Sequence, residues 1–422
     1  MILRARVVVP VRQAPIPDGA VFIRRNRIAA VGRWRDLSTG RRGVIDLGEA
    51  ALLPGLVNAH CHLDYTDMAG LFPPPKVFTD WLKLMNATKA EWSQSDYSES
   101  WRHGAQMLLG TGTTTVGDIE AVPDLLPALW QTTPLRVLSF LEMIGIGRRP
   151  APAIVQETTA RIASLRGGRW RPGLSPHAPY STVPGLLRLS AAAARRRRWR
   201  MAIHVAESAL EFEMFTRGRG EMFDWLSRSA RDMSDCGHGS PVRHLERCGM
   251  LNPNLLAVHA NYLEPRDAAL LGRARVSVAH CPRSHFYFRH QPFPLRALRR
   301  AQVNVCLGTD SLASVCKTPR QTVELSMFED MRALAEQAPA PRPREILQMA
   351  TLNGARALGL EGQVGEIAVE ALADLIALPF SGKLARVHEA ILEHRGPVAA
   401  SMIGGRWAIG PEQFPNIHDQ PL

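Results

Sequence analysis

Eight short apolar runs, each turning polar at its carboxyl end, constrain the fold of this chain more than any other feature. Four of these runs end in side chains that can bind a metal, namely His60, His62, His204, Glu207, His259 and Asp310. Runs that are apolar on both faces are typical of strands in a parallel sheet. In a barrel of parallel strands, the carboxyl ends meet at one mouth. The pattern therefore predicts that these distant residues converge on one site.

Helical stretches such as YSESWRHGAQMLLGTG separate the eight candidate strands. The candidate strands are 51–62, 113–119, 135–143, 173–176, 200–207, 255–261, 276–281 and 303–310. Short alternating stretches at both ends of the chain are typical of small antiparallel strands. We therefore expect an α/β fold, in which a TIM-like (β/α)8 barrel of residues 51–362 carries a small β-sandwich domain. That domain is expected to combine residues 1–50 with residues 363–422.

The size and composition fit this architecture. A chain of 422 residues with 45% hydrophobic residues can bury a large core beside a smaller appendage. No apolar run approaches the roughly 20 residues that a membrane span needs, and the first residues resemble a β-strand more than a signal peptide. The six cysteines form no CxxC pair. We expect a cytoplasmic protein that does not bind a membrane, and dimers are the commonest assembly for such a chain.

The net charge of +12 is densest in the run Arg195–Arg198, which follows an Ala-rich helical stretch. One interpretation is a patch that binds phosphate or nucleic acid. The other is a solvated helix end, where positive charge complements the helix dipole. Arginine is abundant throughout the chain and lysine is rare, so the run is not exceptional here. We favour the second interpretation and expect no nucleic-acid partner.

The HxH pair is the first candidate metal site. His60 and His62 lie two residues apart, so on a strand their side chains share a face. The pair alone is weak evidence, because histidines also occur in many cores. His204 and Asp310, which also stand at strand ends, strengthen it, since three imidazoles and a carboxylate suit zinc or another borderline divalent ion. Asp310 could equally cap a following helix.

Two further residues admit more than one role. Glu207 could shuttle protons beside a metal site if burial raises its pKa, or it could be a glutamate at a helix amino terminus. His259 could be a ligand, a group that steers an attacking hydroxide, or a satisfied buried histidine. The sequence alone leaves these alternatives open.

Seven ordered segments together resemble a known superfamily. They are PGLVNAHCHLD, SPHAPYS, HVAES, VHANYL, AHCPRSH, LGTDSLAS and MATLNGARALGL. In order and spacing they resemble the amidohydrolase superfamily, within it the mononuclear branch of deaminases and chlorohydrolases. The similarity extends to GEIAVEALADLIAL near the end of the chain.

The resemblance implies a role for each matching residue. His60, His62, His204 and Asp310 would bind one divalent ion, zinc in the first place, with iron or manganese as alternatives. Glu207 would protonate a ring nitrogen of the substrate, His259 would steer the hydroxide, and Asp310 would accept a proton from the water. The implied substrate contacts are His177, Arg283 and Ser284. His285 departs from the pattern, because relatives often have asparagine there.

The implied activity is the hydrolytic deamination of a small N-heterocyclic substrate, purine-like or nucleoside-like, with release of ammonia. A second possibility keeps the site but changes the leaving group to chloride or to another non-peptide C–N bond. A third, a barrel that serves as a non-catalytic scaffold, conflicts with the presence of every ligand. The positive charge and the arginines near the mouth allow an anionic substrate.

Overall fold

The computed structural model describes residues 1–37, 43–147, 149–165, 168–229, 231–318, 322–337 and 339–412. The last ten residues of the expected small domain, 413–422, lie outside the described part. The strands are β1 Ile2–Val8, β2 Ile16–Arg24, β3 Arg27–Arg33, β4 Val44–Asp46, β5 Ala50–Pro54, β6 Leu56–Cys61, β7 Thr113–Glu120, β8 Arg136–Met143, β9 Arg171–Pro176, β10 Met201–Val205, β11 Leu255–His259, β12 Ser277–His280, β13 Asn304–Leu307, β14 Leu375–Pro379, β15 Ala400–Ile403 and β16 Arg406–Ile409.

Most of the helices lie in the connections between barrel strands. The helices are α1 Trp34–Leu37, α2 Phe78–Glu91, α3 Gln94–Gly110, α4 Leu126–Leu129, α5 Ala151–Ser164, α6 Pro184–Arg197, α7 Ala209–Arg217, α8 Glu221–Arg228, α9 Pro241–Arg247, α10 Asp267–Arg273, α11 Pro282–Tyr287, α12 Leu295–Arg300, α13 Met327–Ala335, α14 Pro343–Met349, α15 Leu352–Ala357 and α16 Val387–Glu393. None of the helices in these ranges is long and apolar enough to cross a membrane.

The eight strands β6 to β13 form one parallel sheet in chain order. A bridge between Cys61 and Asp310 links the first strand to the chain just after the last one, so the sheet curls into a nearly closed barrel. Asn58 supports this closure, because its side chain donates to Thr309 Oγ1 at 2.7 Å and accepts from the Thr309 backbone N–H at 3.1 Å. All eight predicted barrel regions contain a barrel strand.

A second, mixed sheet of eight strands combines both ends of the chain. Its order is β16-β15-β14-β5-β1-β2-β3, and β4 pairs with β1. The fold class expected from the sequence is therefore confirmed, as a barrel beside a separate sheet built from both termini. Within that expected terminal region, helix α16 packs against α13 and α14 on the barrel.

The single strand expected over residues 51–62 is two strands in two different sheets. Strand β5 pairs with β1 and β14 in the terminal sheet, whereas β6 is the first strand of the barrel. Only Gly55 separates them, and a Cβ atom there would lie 2.1 Å from Thr114 Oγ1. Both strands are fully buried and the residues on either side of Gly55 are apolar, so the hydrophobic pattern alone did not show the break.

The arginine run lies at a helix end, as the favoured interpretation predicts. Helix α6 begins at Pro184 and carries Arg195, Arg196 and Arg197 in its last turn, and Arg198 ends it in the left-handed conformation. The Arg195 guanidinium donates to the backbone carbonyl of Gly249 at 2.9 Å. Positive side chains at this position complement the helix dipole.

Candidate metal centre and active site

The four predicted ligands converge at the carboxyl ends of the barrel strands. The distance between His62 Nε2 and His204 Nε2 is 3.3 Å. Asp310 Oδ1 lies 3.6 Å from His60 Nε2 and 3.7 Å from His62 Nε2. An ion with four tetrahedral bonds of about 2.0–2.2 Å holds its ligand atoms roughly 3.3–3.6 Å apart. The observed spacing therefore fits one divalent ion.

The imidazoles are held in the chemical form that binds metal. Burial lowers the pKa of His62 to about 3 and that of His204 well below its ordinary value, so both rings are neutral near pH 7. His204 Nδ1 donates to the backbone carbonyl of His177 at 2.9 Å, which leaves a lone pair on Nε2. Within the described part of the chain, neither ring nitrogen of the fully buried His60 has a hydrogen-bond partner. A cation would satisfy one of them, Nε2, which lies on the side of Asp310.

Asp310 is oriented by three donors. Its Oδ1 accepts from the backbone N–H of Ser311 at 2.8 Å, and its Oδ2 accepts from the hydroxyls of Ser284 at 2.7 Å and Ser314 at 3.2 Å. Burial opposes ionisation, but the interaction with the His60 ring, 3.6 Å away, favours the charged form, and the pKa of Asp310 lies well below its ordinary value. The carboxylate is therefore charged and fixed.

Glu207 lies beside the ligands in the opposite electrostatic state. Burial, and then the charges of Asp310 and Glu211, raise its pKa well above the ordinary value. Its Oε1 is 3.5 Å from His259 Nε2. Burial lowers the pKa of His259 to about 3, so this imidazole is neutral. The site thus places a neutral carboxyl group, which can donate a proton, beside an ionised one.

The backbone is strained at the strand ends that carry these residues. Ala206, His259, Ala260 and Asp310 have φ of 50°, 72°, 51° and 55°. Non-glycine residues in this left-handed region cost of order 1–3 kcal/mol each and cluster at functional sites. Gly308 adds a close approach, since a Cβ there would lie 2.7 Å from the His60 carbonyl oxygen. The fold therefore holds the predicted ligands in place at a cost in backbone conformational free energy.

Residues 51–408 match the model of the amidohydrolase family. This chain belongs to the amidohydrolase family. Its curated relatives include the 5-methylthioadenosine/S-adenosylhomocysteine deaminase of Syntrophobacter fumaroxidans, which is 33% identical over 390 residues, covering 86% of this chain and 80% of the relative. The 5′-deoxyadenosine deaminase of Methanothermobacter thermautotrophicus is 30% identical over 379 residues, covering 86% of this chain and 81% of the relative.

Solved structures share the whole architecture. An adenosine deaminase from Xanthomonas campestris with bound zinc superposes on this amidohydrolase with a TM-score of 0.81 at 25% identity, covering all of this chain and 94% of its own. The aminofutalosine deaminase of Helicobacter pylori gives a TM-score of 0.85 at 21% identity, with 97% of this chain and all of its own covered. At 21% identity, the similarity to the aminofutalosine deaminase is evidence for a shared fold only.

A cavity opens from the ligands between the ends of the barrel strands. Its lining includes His62, His177, His204, Glu207, His259 and Asp310. The predicted substrate contact His177 therefore faces the cavity, with its ring 4.9 Å from that of His204. Its Nε2 lies 3.9 Å from Glu142 Oε1, and its Nδ1 lies 2.6 Å from the Ser181 hydroxyl.

The other predicted substrate contacts lie elsewhere. The Ser284 side chain is buried and donates to Asp310, so it orients a ligand. Arg283 points away from the cavity in this amidohydrolase: its Nε pairs with Asp330 at 2.9 Å and its Nη1 donates to the Glu324 carbonyl oxygen at 3.0 Å. The structure does not bring Arg283 together with the metal ligands.

His285, where the family resemblance predicts asparagine, lies outside the lining of the cavity and contacts the site indirectly. Its Nδ1 lies 3.1 Å from Asn261 Oδ1, and Asn261 Nδ2 donates to the backbone carbonyl of Glu207 at 2.9 Å. Burial lowers the pKa of His285 to about 4, so the ring is neutral near pH 7. His285 therefore contacts the segment that carries Glu207 through Asn261.

Two charged residues of the cavity were not among the site residues predicted from the sequence. Glu142 is the last residue but one of β8, so the strand-end rule that found the histidines could have found it. Lys89 comes from helix α2, in the long connection between β6 and β7. Nothing in the sequence marks one lysine of a surface helix as facing the mouth.

Proposed function

We propose that this chain is a metal-dependent aminohydrolase that removes an amino group from a small N-heterocyclic, nucleoside-like substrate and releases ammonia. One observation carries the proposal: a neutral buried carboxyl group, Glu207, lies beside a carboxylate and three imidazoles with the spacing of one divalent ion. Zinc is the ion we propose, because a related adenosine deaminase structure contains it. Iron and manganese remain the alternatives.

The residues divide the reaction between them. A bound divalent ion supplies Lewis acidity, which lets water ionise near neutral pH. Asp310, charged and fixed by three donors, accepts the proton of the attacking water. The neutral His259 holds the resulting hydroxide in position. Glu207 donates its proton to the ring nitrogen next to the amino-bearing carbon, which makes that carbon electrophilic.

The leaving group explains why the proton on Glu207 is needed. An aromatic amine is a poor leaving group until the ring has accepted a proton. The amine then departs as ammonia with the proton that Asp310 took from the water, and the hydroxyl proton of the intermediate returns to Glu207 as the C=O group forms. His177, on the cavity wall next to the ligands, is the proposed contact to the heterocycle. The two curated deaminases described above act, by their names, on adenosine derivatives, which supports a nucleoside-like substrate.

The test is a screen for released ammonia across adenosine-like and guanine-like compounds, combined with elemental analysis of the dialysed protein. We expect about one divalent ion per chain and ammonia release from at least one nucleoside. Halide release from chlorinated triazines with no ammonia from any nucleoside would favour a chlorohydrolase instead. A metal-loaded protein that is inactive on both panels would contradict both activities and favour the scaffold.

A further inference from the structure

The lining of the cavity next to the predicted ligands combines two kinds of side chain. Trp81, Leu82, Met85 and Ile144 are apolar. His177, Glu142 and Lys89 are polar and follow one another in a row, which we call the polar wall. Successive distances along this wall are 3.9 Å from His177 Nε2 to Glu142 Oε1 and 3.7 Å from Glu142 Oε2 to Lys89 Nζ. The cavity therefore offers a substrate both apolar contacts and a line of polar groups that begins beside the predicted ligands.

Lys89 is the only lysine or arginine that lines this cavity among the residues the structure describes. Its ammonium lies 4.9 Å from the centre of the Tyr65 ring, and its side chain is 24% exposed. The Tyr97 hydroxyl donates to the Lys89 backbone carbonyl at 3.1 Å, which fixes this end of helix α2. The cation is thus held at the outer end of the polar wall.

We propose that Lys89 makes this enzyme selective for substrates that carry a carboxylate on the substituent beyond the heterocycle. This inference rests on the proposed function, which places the ring beside Glu207 and His177. An ammonium group has three donors, and the contact with Glu142 can engage only part of them. The remaining donors face a cavity in which no second lysine or arginine of the described residues competes for an anion.

Glu142 decides which anion fits. Its carboxylate oxygen is 3.7 Å from the ammonium, so an anion bound to Lys89 also lies close to this like charge. For a doubly charged phosphate, the attraction to Lys89 and the repulsion from Glu142 both double relative to a carboxylate, whereas the cost of desolvating the anion rises about fourfold, with the square of its charge. The pair therefore accepts a carboxylate and rejects a phosphate monoester. If Lys89 only neutralised Glu142, charged and uncharged substituents would bind alike.

The experiment compares two ligands that differ only in charge: 5′-(carboxymethylthio)-5′-deoxyadenosine and its carboxamide. Binding is measured by titration calorimetry on the zinc-loaded E207Q variant, in which turnover is suppressed, and KM and kcat are measured on the otherwise native chain. We expect the acid to bind at least tenfold more tightly than the amide. Lys89→Met should abolish this ratio, chiefly by raising the Kd and KM of the acid to those of the amide, and Lys89→Arg should retain most of it.

Lys83 provides the matched control, because it lies on the same helix but pairs with Asp80 at the surface at 3.1 Å. Lys83→Met should leave the ratio unchanged, which separates a local contact from a general effect of charge. A third ligand, adenosine 5′-monophosphate, should bind no more tightly than the amide. Tighter binding of the monophosphate than of the acid would overturn the preference for a carboxylate.

Equal binding of acid and amide to the unsubstituted Lys89 site would overturn the inference. The proposed function would survive that result if the otherwise native chain still released ammonia from the amide. Failure of the chain to bind or deaminate either ligand would instead contradict nucleoside deamination itself, and the inference with it. If Lys89→Met weakened the binding of the amide as much as that of the acid, Lys89 would be only a structural partner of Glu142 and the inference would be wrong.

Discussion

Two buried aspartates at opposite ends of the barrel show how differently a fold can treat the same side chain. Asp374, at the junction with the terminal sheet, accepts from Arg136 Nε at 3.0 Å and Nη2 at 3.1 Å, and its Oδ1 accepts from the Gly404 backbone N–H at 2.7 Å. The partners of Asp374 all come from the chain itself, including a cation. Asp310 is also buried, yet among the residues that the structure describes no lysine or arginine is its partner.

The difference teaches how to separate a structural charge from a functional one. A buried carboxylate needs a compensating positive charge. At Asp374 the guanidinium of Arg136 provides it, whereas Asp310 faces two imidazoles whose ring nitrogens point at the same region. The charge missing from the chain at Asp310 is what an external cation would bring. The predictions below test this contrast.

The largest expected effect is that of Asp310→Asn. Removing the one charged ligand should abolish stoichiometric zinc binding and lower turnover by at least about 10⁴-fold, because the ligands act as a unit. Elemental analysis after dialysis and an ammonia assay measure the two losses. A variant that keeps its metal and a tenth of its activity would remove Asp310 from the proposed centre.

Glu207→Gln should separate chemistry from metal binding. The amide keeps the shape of the carboxyl group but cannot donate its proton, so kcat should fall by about 10²–10⁴-fold while metal content stays unchanged. Because the pKa of Glu207 is raised and only the protonated form donates, the rate of the unaltered enzyme should fall as pH rises through that pKa. The variant should lack this alkaline limb. An unimpaired variant would exclude Glu207 as the acid.

Asp374→Asn should lower the free energy of unfolding without changing the metal centre. The change leaves the nearly buried guanidinium of Arg136 without its counterion, which costs about 3–5 kcal/mol of unfolding free energy. Metal content per folded chain should not change. Asp18→Asn is the matched control, since the Asp18 pair with Arg4 is exposed and should cost at most about 1 kcal/mol. Equal losses in the two variants, measured by urea unfolding, would contradict the contrast.

The smallest expected effect concerns a buried histidine outside the metal centre. Burial lowers the pKa of His244 to about 4, although Asp235 partly opposes the shift. The unfolded chain, with a histidine pKa near 6.5, binds the extra proton first, so stability should fall as pH falls from about 6.5 to 4. His244→Gln should flatten this fall by up to about 1.4 kcal/mol per pH unit. Identical slopes in both proteins would contradict the assignment.

The sequence was sufficient for the parts of the site that lie on strands. His60, His62, His204, His259 and Asp310 end apolar runs, and the geometry of a parallel barrel brings such ends together. Conversely, Arg283 follows a strand by only a few residues but lies on helix α11, which directs its side chain to Asp330. Closeness in sequence to a strand end does not determine where a helical side chain points.

The residues that could not be predicted depend on contacts between distant segments. Lys89 reaches the cavity only because the long connection after β6 folds back over the mouth, and the helical pattern of α2 does not indicate that direction. The hydrophobic pattern did not indicate the break between β5 and β6, because both strands are buried and the residues next to Gly55 are apolar. Such a run fits one long strand or two short ones equally well.

The position of Gly55 has a consequence for separating the barrel from the terminal sheet. On one side of this residue the chain belongs to the terminal sheet, and on the other side, five residues later, it delivers the first imidazole to the ion. A barrel cut out of the chain at Gly55 would begin with β6, the strand that carries His60. This strand would fray because it had lost its connection to the terminal sheet. The terminal sheet thus holds this strand in place, and we expect loss of metal binding to be the first effect of removing the sheet.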